Sequence, residues 1–282
     1  MARTPQIFTA LDTAERNGFP YGDQMIHLFI GGSGLHGGRV EGKNDDDYYG
    51  IFIQPEDKII GLTDYPHYVW SSAGDSARNQ PGDVDITFYG LRKWAGLAAG
   101  GNPTALGFLF APNLMTGTLW GEIVDHTMLF AAKEHYAPFE GFARQQFERV
   151  MGVRGQGKHG QRPELEEKFG YDVKAAMHVI RLLGEGIEYM STGRITYPRP
   201  DKALLIDIRL GKFGKDEIAD TAGHMFDDLK DAVAQSPLPE KVDRDKVSAL
   251  VVETYLRHWG RAKSFKSVFN LAHNVIEDME EI

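Results

Sequence analysis

The chain is predicted to fold as an α+β protein, a mixed sheet with helices followed by a mainly helical C-terminal domain. Three observations predict this. The run Gln24-Met25-Ile26-His27-Leu28-Phe29-Ile30 is strand-like and ends in glycines. In Asp83-Val84-Asp85-Ile86-Thr87-Phe88-Tyr89 polar and apolar residues alternate. That period of two puts Asp83, Asp85, Thr87 and Tyr89 on one strand face and Val84, Ile86 and Phe88 on the other. From about residue 127 onward helical periodicity dominates. The chain divides near residue 120, into one domain over 1–120 and a helical one over 121–282.

The remaining elements follow in order. Residues 47–54 read as a second strand, closed by Pro55-Glu56-Asp57. A polar stretch with Gly and Pro, 71–82, separates it from the alternating strand. A helix over 91–99 stops at Gly100-Gly101-Asn102-Pro103, and a short helix over 104–110 follows. Residues 143–150 belong to a helix, and 151–162 form a glycine-rich loop carrying Arg154, Lys158 and Arg162 just after Arg149. A long helix over 163–191 ends at Thr192-Gly193. Helices over 215–236 and 243–259 are separated by Pro237-Leu238-Pro239. There is no internal repeat and no low-complexity segment.

Composition narrows the class. With 282 residues, 42% hydrophobic and 25% charged, the chain can bury a substantial core. No run approaches eighteen apolar residues, so no membrane span is expected. The N-terminus lacks the apolar core of a signal peptide. The absence of cysteine excludes disulfides, thiolate metal sites and a cysteine nucleophile, and fits a cytoplasmic protein. A net charge of −9 argues against wrapping a long nucleic acid, while a local basic patch could still hold a short end.

The chemistry-bearing residues begin at Gly31-Gly32-Ser33. Two glycines remove the Cβ atoms that would keep a phosphate from the backbone, and they allow successive N–H groups to point at an anion. Ser33 adds a hydroxyl and is expected to cap the following helix. A plain strand-ending turn would look the same. Asp45 and Asp47, two apart at the head of a strand, project from one face while Asp46 points away. Magnesium takes hard oxygen ligands, commonly one or two carboxylates with substrate phosphates and water. The competing reading is a solvated acidic turn, since Asn44-Asp45-Asp46-Asp47 favours turns by composition. A two-metal centre needs a further carboxylate from a neighbouring strand, and Asp85 and Asp83 are both candidates on the alternating strand.

In the C-terminal half, Tyr171, Lys174, His178, Arg181, Glu185 and Glu188 fall on one helical face. Lys174, His178 and Arg181 could meet one anion. Alternatively, Glu185 could pair with Arg181 at i, i+4 on a solvated face. The loop 149–162 is either a nucleic-acid contact or a surface loop. Trp70, Trp94 and Trp120 lie in apolar surroundings that suit core packing.

The motifs together resemble the DNA polymerase beta-like nucleotidyltransferase superfamily, in its predicted-nucleotidyltransferase branch that includes an RNA-repair-associated group. Gly32-Ser33, Gly37 and Asn44-Asp45-Asp46-Asp47-Tyr48-Tyr49-Gly50 match the first motif of that branch. Asp85-Ile86-Thr87, Leu91-Arg92-Lys93 and Gly101-Asn102-Pro103 match the second, and Tyr171-Asp172-Val173-Lys174 through His178, Arg181, Leu182 and Leu183 the third. The similarity spans most of residues 25–240. Two features depart from the pattern. His36 stands where many relatives carry an aromatic or small residue, and the connection from Gly32-Ser33 to Asp45 is about one residue longer.

The resemblance implies a polymerase beta palm-like nucleotidyltransferase whose helical domain forms the other wall of a nucleotide cleft. It implies Mg²⁺, with Mn²⁺ as the alternative ion, held by Asp45, Asp47 and Asp85. An NTP would be the substrate, its phosphates held by Gly32 and Ser33 and its charge met by Lys174, His178 and Arg181. The NMP would pass to an acceptor hydroxyl, an RNA or DNA end being one candidate, with release of pyrophosphate. The alternatives are nucleotidylation of a small molecule or protein, and a catalytically silent nucleotide-binding protein of the same fold.

Overall fold

In the computed structural model, β1 (Met25–Ile30), β2 (Asp46–Phe52), β3 (His67–Ser71), β4 (Val84–Gly90) and β5 (Met115–Thr116) form one mixed sheet. Its spatial order is β3-β4-β2-β1-β5. The structure describes residues 5–40, 45–74, 82–153 and 162–261. The α+β class is therefore as the sequence predicts, with two short strands added at the sheet edges. β3 alternates His67-Tyr68-Val69-Trp70, residues that suit a pleated surface, but its five residues give too short a pattern to stand out.

The helices are α1 (Pro5–Arg16), α2 (Gly32–His36), α3 (Glu56–Ile60), α4 (Leu91–Ala99), α5 (Pro103–Gly107) and α6 (Thr118–Asp125). They continue as α7 (Tyr136–Val150), α8 (Pro163–Phe169), α9 (Val173–Thr192), α10 (Lys202–Arg209), α11 (Lys215–Ala234) and α12 (Arg244–His258). Among the described residues no helix is long and apolar enough to cross a membrane.

Strand alternation sends side chains to two separate cores. Leu28, Tyr48, Phe52, Ile86 and Phe88 pack against Ala10, Leu11 and Ala14 of α1 and against Phe19. The opposite face, with Phe29, Ile51 and Ile53, joins a larger core made with α4, α6, α7, α9, α11 and α12. Trp94 and Trp120 are fully buried there, and Trp94 Nε1 donates to Ala105 O at 2.9 Å. The buried Val179, Ile180 and Leu183 make α9 central to this layer, where it packs on α7, α10 and α11.

The long helix expected over 163–191 is two helices. Gly170 ends α8 in the left-handed region at φ 80°, a conformation that suits glycine. Asp172 then caps α9, its Oδ1 accepting from the N–H groups of Lys174 and Ala175 at 2.9 Å each. A carboxylate at this position satisfies donors that the first helical turn leaves open, which stabilises the start by about 1 kcal/mol. Tyr171 consequently lies outside α9 rather than on the face with Lys174, and its hydroxyl donates to Phe213 O at 2.7 Å.

The segment Gly101-Asn102-Pro103 also has a local cause. Asn102 accepts from Ala105 N at 3.0 Å, and Pro103 occupies the first turn of α5, where a missing N–H costs nothing.

Candidate functional site

β1 delivers the chain to Gly31, whose N–H donates to Asp47 O at 2.8 Å. α2 starts directly after it. A Cβ on Gly31 would run into the Tyr49 ring, and one on Gly32 into the Asp47 carboxylate. Gly32 also has φ 49°, which side chains beyond glycine adopt at a cost. The two glycines therefore let the turn lie directly against the carboxylate strand. Ser33 does not cap α2 as expected. Gly31 takes the cap position without a side-chain bond, and Ser33 is the second helical residue, lining the adjoining cavity.

β2 and β4 run parallel with Asp47 beside Asp85 in register. Neighbouring strands are ~4.8 Å apart, so two same-face carboxylates in register must come close. Asp45, just before β2, joins them, and one oxygen from each of Asp45, Asp47 and Asp85 lies within 4.8 Å of the others. Asp46 faces away and pairs with Arg39. Asp83, the rival to Asp85, precedes β4 and accepts from Ser72 Oγ at 2.8 Å. Burial pushes the Asp47 carboxyl up to about 6, and the negative charges of Asp45 and Asp85 add to the rise.

The opposite wall comes from the C-terminal half. A cavity of about 260 Å³ is bounded by Gly31, Gly32, Ser33, Asp45 and Asp47 on one side and by Lys174, His178 and Arg181 on the other. Phe29, Tyr49, Phe108 and Tyr197 supply apolar and aromatic lining, and Leu205 and Arg209 enter from α10. The expected residues of the site thus converge from α2, from β2 and the residue before it, from β4 and from α9.

Their charge states differ. Lys174 is half-buried, and burial lowers its pKa, with Arg162 and Arg209 adding to the drop while Asp45 and Asp47 oppose it. Burial drives His178 well below the ordinary histidine value, helped by Arg181 and Lys174, so it presents a neutral imidazole rather than a cation. Arg181 is engaged by Glu185, through Nη1 at 2.8 and 3.1 Å. The pairing weighed from i, i+4 spacing therefore exists on a residue that also lines the cavity.

Three roles are not read from the sequence, although Glu185 is weighed there as a partner of Arg181 and Asp172 stands in the third motif. Glu185 also lies 3.0 Å from His36 Nδ1, tying the end of α2 to α9. Asp172 was legible only as a motif letter, although a glycine two residues before an Asp marks a helix break followed by a cap. Arg209 has no spacing relation to any motif, and nothing local signals it. Arg92 of the second motif sits on the surface, pairing with Asp64 at 2.8 Å. In the basic loop, Arg162 pairs with Asp172 Oδ2 at 2.7 Å. Arg154 and Lys158, like Asn44, lie outside the described residues.

The carboxylate cluster suits a divalent cation. Three hard oxygen donors gathered within 4.8 Å repel one another, and that repulsion adds to burial in raising the pKa of Asp47. A bound Mg²⁺ or Mn²⁺ would relieve it, and the all-oxygen donor set matches both ions.

Comparison with known proteins identifies a family. A family model described as RlaP, RNA repair pathway DNA polymerase beta family, matches residues 5–250. Among solved structures, the chain is similar to a nucleotidyltransferase-like protein from Exiguobacterium sibiricum 255-15. That likeness has 9% identity and a TM-score of 0.28 and covers 89% of this chain and 79% of the other. No curated protein matches the chain.

Proposed function

Because the chain belongs to the RNA repair pathway DNA polymerase beta family, we propose that it is a metal-dependent nucleotidyltransferase. It moves an NMP from an NTP to an acceptor hydroxyl and releases pyrophosphate. The observation that carries this reading is the Asp45, Asp47 and Asp85 cluster, set beside the Gly32-Ser33 turn and across a cavity from Lys174.

Asp45, Asp47 and Asp85 would hold Mg²⁺ or Mn²⁺. When bound, such ions neutralise phosphate charge and favour in-line displacement. The Gly32 backbone and the Ser33 hydroxyl donate to the phosphate chain. Lys174 and Arg181 offset its negative charge, and His178 contributes a neutral hydrogen bond. The acceptor oxygen bonds to the α-phosphorus as the bond to the α–β bridging oxygen breaks. Pyrophosphate leaves with that bridging oxygen and its electron pair, and the hydroxyl proton passes to the Asp85 carboxylate. The helices after residue 120 act as the second domain that closes the cleft.

An RNA or DNA end is one acceptor class. The net charge of −9 favours as a second reading a small-molecule or protein acceptor. The test is Mg²⁺-dependent pyrophosphate release with each of the four NTPs, offered RNA and DNA oligonucleotides bearing free hydroxyl ends. A thermal-shift screen of the same NTPs identifies the donor, since a ligand that binds only the native state raises apparent stability. If no NTP binds or releases pyrophosphate with either Mg²⁺ or Mn²⁺, the reading is overturned.

A further inference from the structure

The cations that line the cavity are not equivalent. Arg181 is held by Glu185 through two hydrogen bonds from Nη1, so part of its charge is compensated inside the protein. His36 lies against the same carboxylate, and His178 is neutral. Lys174 also lines the cavity, and so does one residue that no motif includes. Arg209 is the last residue of α10, one helical turn beyond Leu205, and both line the cavity.

Two further relationships fix where Arg209 stands. Its Nη1 donates to Gly38 O at 3.0 Å, immediately past the glycine that ends α2. The guanidinium is therefore anchored to the segment that carries Ser33. It also interacts favourably with Asp45 and unfavourably with Lys174, which lines the same cavity. Like charges that line one cavity repel each other, and a bound polyanion offsets that penalty. A guanidinium can keep one carbonyl and still pair with phosphate oxygens, because it carries five donors in a fixed fork.

We propose that Arg209 is a binding residue for the phosphate chain of the nucleotide, acting with Lys174 in the cavity that Ser33 also lines. This rests on the nucleotidyltransferase reading above. It assigns to α10 a role in substrate recognition that the sequence motifs leave to α2 and α9 alone.

The same chemistry would suit a phosphate of a nucleic-acid acceptor, and the probes separate the two sources. Isothermal titration of the full chain with inorganic tripolyphosphate plus Mg²⁺ isolates the phosphate-chain contact from base and sugar. Titration with a single-stranded oligonucleotide without NTP reports the acceptor contact. Arg209→Gln keeps a donor for Gly38 while removing the charge, and Arg209→Lys keeps the charge without the fork. Arg209→Gln is expected to weaken tripolyphosphate binding tenfold or more, Arg209→Lys by less, with oligonucleotide binding unchanged.

Unchanged tripolyphosphate binding by Arg209→Gln would overturn the proposal, as would a loss confined to the oligonucleotide. A wild-type chain that binds neither tripolyphosphate nor any NTP would instead sink the nucleotidyltransferase reading. Thermal unfolding of each variant without ligand distinguishes loss of the α10–α2 anchor from loss of binding. A variant that unfolds early but binds normally at low temperature counts against the proposal.

Discussion

Glu185 accepts from Arg181 Nη1 with both of its oxygens, at 2.8 and 3.1 Å, while only 1% of its side chain is exposed. Burial alone would raise its pKa; the positive charge of Arg181 and the contact with His36 overcome that and hold the carboxyl down at about 2. Arg181 lines the cavity, so its pairing with Glu185 sets how much positive charge that wall presents. Glu185→Ala leaves Arg181 with an uncompensated buried charge and is expected to cost about 3–5 kcal/mol in denaturant unfolding. Glu185→Gln keeps the shape and adds a net positive charge to the wall. It should bind Mg²⁺-tripolyphosphate more tightly than the wild type while being less stable. Weaker binding together with lower stability would show that Glu185 is scaffold alone.

The same carboxylate predicts acid behaviour. Its folded-state pKa of about 2 lies below the ordinary 4.5. Its contribution to stability is therefore complete above pH ~4.5 and lost as pH falls toward ~2. Urea midpoints across that range should fall more steeply for the wild type than for Glu185→Gln. Parallel curves would contradict the assignment.

Asp45→Ala and Asp47→Ala should each abolish labelled-nucleotide transfer while circular dichroism stays native. Charge stabilisation of several kcal/mol at such a centre corresponds to a rate loss of roughly 10³-fold. Transfer at the wild-type rate by either variant would remove the carboxylate cluster from the mechanism.

Asp85 and Asp83 separate cleanly in the structure, because Asp85 stands beside Asp47 in register whereas Asp83 accepts from Ser72. Asp85→Ala should lose transfer as severely as Asp47→Ala, and Asp83→Ala should retain it within a few-fold. The reverse order in a side-by-side rate measurement would exchange their roles.

Asp47 gives a test of the metal site that needs no substrate. Its folded-state pKa of about 6 lies above the ordinary 3.8, so the folded chain holds this proton more tightly than the unfolded chain does. In excess EDTA this group's effect is therefore to lower stability as pH rises from ~4 through ~6, and to hold it at that lower level above. Asp47→Asn removes the repelling charge and should stabilise the metal-free protein at about pH 7 by up to ~2 kcal/mol. Millimolar Mg²⁺ should stabilise the wild type and not the variant. A variant no more stable than the wild type in EDTA would mean that the buried Asp47 charge carries no unrelieved cost.

Much of the site was legible because its parts depend on local rules. Gly31-Gly32-Ser33 follows a strand, Asp45 and Asp47 share a strand face, and Lys174, His178 and Arg181 recur at helical spacing. Each is a periodicity that survives in any fold of those elements. The strand over 83–89 and the helix over 91–99 were legible for the same reason. The break at Gly170 was missed because apolar periodicity continues across it, and only the pairing of a left-handed glycine with a capping Asp marks the new helix.

The sequence by itself determined the α+β class, the carboxylates that stand on one strand face and the cations that stand on one helix face. The tertiary structure decided what those faces meet. Parallel pairing of β2 and β4 placed Asp85 rather than Asp83 beside Asp47. Packing around α9 buried the Arg181–Glu185 pair that i, i+4 spacing allows, and α10 brought Arg209 to the cavity. The physical reason is range. Backbone periodicity fixes direction within an element, whereas the charge a cavity presents depends on contacts between residues that can lie 171 positions apart, as Arg209 and Gly38 do.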